Sequence, residues 1–140
     1  MSVVTNFVEK ESTITVVNPQ DGSFVGKVHD ANRDDAKRAI NIAVAAADIA
    51  KKLPTHVRMS VLNQVADDLF QQKELFAQMI AREGIKTISE ARKEAMRCVD
   101  TLRISAEEAR RLTGETIAFD QAPGSENKFG YYKRLPLGVV

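Results

Sequence analysis

The most constraining feature of this chain is a set of apolar and small residues near its middle. Ala91, Ala95, Cys98, Leu102, Ala106, Ala109 and Leu112 follow one another at intervals of three or four. That interval returns to the same side of an α-helix at each turn, whereas a strand needs an interval of two. The spacing therefore predicts one long helix with a continuous buried face. Ser89 is a candidate N-cap, with Thr87 competing for the role. Gly114, just past the last apolar position, is the expected stop.

The segments before it are read in the same way. Residues 12–17 are rich in β-branched side chains and predict a strand. The turn formers Asn18-Pro19-Gln20-Asp21-Gly22 follow, and Phe24 to Val28 predicts a second strand of a hairpin. Asn32 is the expected cap of a first helix, with Asp34 and Asp35 in its first turn. Ala36, Ile40, Ala43 and Ala47 recur along it at helical spacing, and their small size predicts close packing. Pro54 closes that unit. Val61, Leu62, Val65 and Leu69 form the stripe of a second helix, and Leu75, Phe76, Met79 and Ile80 that of a third, shorter one ending at Gly84. After the long helix, Gln121 to Lys128 reads as a loop. Phe129 to Leu135 alternates as a strand, and Leu137-Gly138-Val139-Val140 reads as the start of another.

Composition narrows the function classes. With 140 residues the chain is long enough for one real core. A formal net charge of +1 gives it no overall attraction to nucleic acid or an anionic membrane. The single cysteine, Cys98, excludes a disulfide framework within the chain and favours a cytoplasmic location. Met1 to Lys10 holds no apolar signal-peptide core, and no stretch approaches the ~20 apolar residues of a membrane-spanning helix.

Several short motifs, in order, resemble the opening of the aldehyde dehydrogenase superfamily. They are Asn18-Pro19 with Asp21-Gly22, Leu53-Pro54 with Arg58 and Leu62, and Glu83, Lys86, Glu90-Ala91 and Glu94. Ser105 to Ala109, Gly114-Glu115 and finally Arg134-Leu135-Pro136-Leu137-Gly138-Val139-Val140 complete the series. The resemblance covers about Val16 to Val140, and it is similar to the branch of non-phosphorylating glyceraldehyde-3-phosphate, phosphonoacetaldehyde and lactaldehyde dehydrogenases. One departure is Ile85-Lys86-Thr87, where the family usually has Gly-Lys-Pro. The resemblance implies an α/β fold, of which this chain is a mostly helical N-terminal portion with four helices, an N-terminal hairpin and C-terminal strands. It implies three parts: a hairpin at 1–31, the helical part of the cofactor-binding domain at 32–115, and a loop with strands at 116–140. It also implies an NAD or NADP cofactor, an aldehyde substrate and a homo-dimer or homo-tetramer when intact. The family's coenzyme glycines, acidic base and nucleophilic cysteine would all follow Val140, so no catalytic or cofactor-binding residue is assigned in this chain.

Other constellations carry less. A nucleophilic Cys98 would need an activating neighbour, and a mid-helix position on the apolar stripe reads instead as a buried small residue. His29 and His56 stand at no metal-ligand spacing, and the glycines form neither a GxGxxG nor a P-loop pattern. The basic residues of the long helix alternate with acids and read as a solvated face. Arg97 is the exception. The resemblance places it on the wall of the substrate tunnel, where an arginine fork suits an anionic oxygen pair. Glu94 and Asp100, three residues to either side, are its expected internal partners if the side chain is merely structural.

Two functions remain open at this stage. One is part of an enzyme that oxidises an aldehyde, small and anionic, to an acid with NAD(P), the segment alone being inactive. The other is a stand-alone helical interaction module, or a relic without catalysis. An apolar strand ending at Val140 favours the first, because an uncovered strand edge is an aggregation hazard.

Overall fold

The computed structural model describes residues 12–140. The part of the expected 1–31 hairpin that precedes Ser12, including the segment read for a signal peptide, lies outside the described residues. From Ser12 onward the hairpin forms as β1 (Thr13–Val17) and β2 (Phe24–His29), paired antiparallel with a register shift between Val16 and Val17. Its loop is held by local side-chain bonds. Asn18 Oδ1 accepts from the Gln20 amide at 3.0 Å and Asp21 Oδ1 from the Ser23 amide at 2.9 Å. Gly22 adopts a φ of 72°, a turn conformation that glycine takes without strain.

Four helices follow: α1 (Arg33–Ala50), α2 (Thr55–Gln71), α3 (Lys73–Gly84) and α4 (Ile88–Ala109). Asn32 caps α1 as expected. Its side chain accepts from the amides of Asp34 and Asp35, while Asp35 reaches back to the Asn32 amide. The rest of α1 departs from expectation. Ala43 and Ala47 are half-buried, but Ala36 and Ile40 are exposed, and among the described residues no element makes extensive contact with the helix.

The core lies where α4 crosses α2 and α3. It consists of Ala66 from α2, Ala77 from α3, and Ala91, Ala95, Val99 and Ala106 from α4. Small side chains let the helix axes approach closely, and Ile80 and Ala81 pack at the margin. Two cross-helix ion pairs flank this core. The Arg92 guanidinium donates to both Glu74 oxygens at 2.9 and 2.8 Å, and Arg103 donates to Asp67 at 3.1 Å.

The helical spacings are therefore right and their phases partly wrong. Val99, absent from the expected stripe, is fully buried, while Cys98 faces solvent. Val99 stands four residues after Ala95 and three before Leu102, Cys98 three after and four before, so the period alone does not separate them and packing does. In α2 the buried side is Leu62, Ala66 and Leu69, with Val61 and Val65 exposed. In α3 Leu75, Phe76 and Met79 are exposed, and Ala77 and Ile80 face α4.

The helix ends differ as well. Thr87, not Ser89, caps α4: its Oγ1 accepts from the Glu90 amide, and Glu90 Oε2 accepts from the Thr87 amide. This reciprocal box serves two otherwise unpaired amides, which Ser89 could not do from inside the first turn. The C-terminal cap of α3 is Ile85, left-handed at φ 50° and ψ 40°, one residue beyond the expected Gly84. The long helix ends at Ala109, so Leu112 stands outside it and Gly114 opens a strand.

That strand, β3 (Gly114–Ala118), pairs antiparallel with β4 (Phe129–Lys133), from Gly114 opposite Lys133 to Ala118 opposite Phe129. A short 3-10 turn at Phe119–Gln121 lies between them. The Phe119 ring covers Gly130, where an added Cβ would lie 2.1 Å from the ring. Leu137 to Val140, read as the start of a further strand, pairs with nothing among the described residues and is largely exposed.

Candidate functional site

Five residues around the first turns of α4 line an open cleft of about 410 Å³: Lys86, Glu90, Lys93, Glu94 and Arg97. Lys86 comes from the loop after α3, and the left-handed turn at Ile85 aims it toward α4. The other four lie on one side of α4 because they are spaced three or four apart. Three cations thus face two carboxylates, and both carboxylates are already engaged.

Glu90 closes the capping box, accepting from the Thr87 amide at 3.3 Å and the Thr87 hydroxyl at 2.9 Å. Glu94 accepts a short hydrogen bond from the Lys86 ammonium and forms an ion pair with it. That bond holds the Glu94 carboxyl below the usual glutamate range against the opposing desolvation, with lesser support from the positive fields of Lys86 and Arg97.

Arg97, the one site residue anticipated from the sequence, is exposed on this cleft. Its carbonyl accepts from the Thr101 hydroxyl at 2.8 Å. Among the described residues its guanidinium has no ion pair or hydrogen bond; neither Glu94 nor Asp100 holds it, contrary to the internal pairing considered above. The Glu94 carboxylate is bonded to Lys86 instead and feels Arg97 only through its field. Lys86 lies before the helix, eight residues from Glu94, so a search for partners at helical spacing does not find it. Lys93, read as one charge of a solvated face, is exposed and lines the same cleft. It too has no ionic partner among the described residues.

Cys98 neighbours Arg97 in sequence and is exposed, with neither histidine bonded to it. Among the described residues no group of three His, Cys, Asp or Glu side chains is placed to hold a metal ion, and no helix is long and apolar enough to cross a membrane.

Comparison with known proteins assigns this architecture. An aspartate-semialdehyde dehydrogenase of Pseudomonas canavaninivorans is 40% identical over 130 residues, covering 93% of this chain and 28% of that protein. A lactaldehyde dehydrogenase of Methanococcus vannielii is 32% identical over 127 residues, covering 91% of this chain and 26% of that one. Among solved structures, the NADP-dependent glyceraldehyde-3-phosphate dehydrogenase of Bacillus halodurans, complexed with NADP, superimposes with a TM-score of 0.75 at 33% identity. That match covers 82% of this chain and 24% of the other. The chain thus spans about a quarter of the length of the relatives it matches. Its four helices and two small hairpins correspond to the N-terminal part of their fold. The model of the aldehyde dehydrogenase family matches residues 7–140. With that match running through all four helices and both hairpins, the chain belongs to the aldehyde dehydrogenase family.

Proposed function

We propose that this chain is part of an NAD(P)-dependent enzyme that oxidises a small aldehyde carrying an anionic group to the corresponding carboxylic acid, with Arg97 as an anchor for that group. The reaction class follows from the family: the aldehyde and water yield the acid, and the hydride passes to the nicotinamide. The family resemblance assigns the cofactor site and the reacting thiol to positions after Val140, and on that reading the 140-residue chain alone is expected to be inactive. The part assigned to this chain is one wall of the substrate entrance, in the helical portion of the cofactor-binding domain at 32–115. Assembly as a homo-dimer or homo-tetramer belongs to the same proposal.

The observation that carries the anionic substrate is the unpaired Arg97 guanidinium in the cleft on α4. An arginine between Glu94 and Asp100 on one helix would ordinarily settle on one of them. Here Glu94 is occupied by Lys86, and Arg97 is left with its donors free for a ligand. The names of two relatives point the same way, since aspartate semialdehyde bears a carboxylate and glyceraldehyde 3-phosphate a phosphate. Lactaldehyde is uncharged, so family membership alone does not decide the substrate; the free Arg97 of the cleft supports the anionic one.

The test is Arg97→Met in the complete protein, assayed on an anionic and a neutral aldehyde of similar size. Loss of one charge-assisted contact of ~1.5–3 kcal/mol should lower the anionic-to-neutral ratio of kcat/KM by roughly 10- to 150-fold. An equal loss on both substrates would make Arg97 structural and end the anionic-substrate reading.

A further inference from the structure

We draw no further inference here: the strongest candidate, the open groove between the C-terminal end of α1, the end of α4 and the β3–β4 hairpin, lined by Ala50, Leu53, Leu112, Phe129, Tyr131 and Leu137, carries nothing because nothing in the structure shows what covers it.

Discussion

Ile85 shows how much a single residue can depart from what its position prefers. It closes α3 in the left-handed region at φ 50°, where a β-branched side chain is strained by ~1–2 kcal/mol. Gly84, one position earlier, was the residue expected to end the helix, and it is taken into the last turn instead. The residue after a helix that must turn left-handed is fixed by where the backbone has to go next, here toward Thr87 and the start of α4, and not by where glycine happens to stand. The family's usual glycine at this position had flagged the departure without its consequence. Ile85→Gly should therefore raise stability, by roughly 1 kcal/mol, read as a higher urea midpoint at unchanged slope. A lowered midpoint would show that apolar contacts of Ile85 outweigh its backbone strain. Arg97 is singled out in the sequence by the resemblance alone, and its anchoring role is the proposal made above. The pairing that leaves it free was not legible, since Lys86 reaches Glu94 across a loop.

For the elements, period was easier to read than phase. The existence and order of α1 to α4 followed from recurring apolar positions, yet two adjacent candidates on α4, Cys98 and Val99, fit the spacing equally well. Packing against α2 and α3 selected the valine, which is fully buried, and left the cysteine in solvent. Val99→Ala should cost about 1.5–3 kcal/mol, the transfer of two methyl groups plus the cavity they leave. Cys98→Ala should stay within ~0.5 kcal/mol, as exposed substitutions do. Paired denaturation curves check both, and the reverse ranking would mean that α4 is rotated from the phase described. Strand β3 escaped the sequence reading altogether. Gly114-Glu115-Thr116-Ile117-Ala118 carries little alternation, and it is a strand because β4 pairs with it across the 3-10 turn, a contact that local propensity does not encode.

At the scale of the whole molecule, the core is small and the uncovered apolar surface is large. Among the described residues six side chains form the buried set, five of them alanine, whereas Ile40, Ile42, Val44 and Ile49 of α1 and Leu135 and Leu137 stand exposed. Exposed apolar side chains of this kind are what contact with further protein would cover, and the chain spans about a quarter of its relatives' length. The motifs along the sequence carried the family because they lie at helix ends, hairpin turns and cross-helix contacts that the fold itself requires. The substrate had no comparable motif and rests on which charges of the α4 cleft remain unpaired. The most direct test of that account is a steady-state comparison, in the complete protein, of NAD(P) reduction with a small phosphonate- or carboxylate-bearing aldehyde and with a neutral aldehyde of equal size, using the purified 140-residue chain as the blank. The account predicts NAD(P)-dependent oxidation by the complete protein, a higher kcat/KM for the anionic aldehydes, and none by the blank. Equal or better turnover of the neutral aldehyde, or activity in the 140-residue chain, would contradict it.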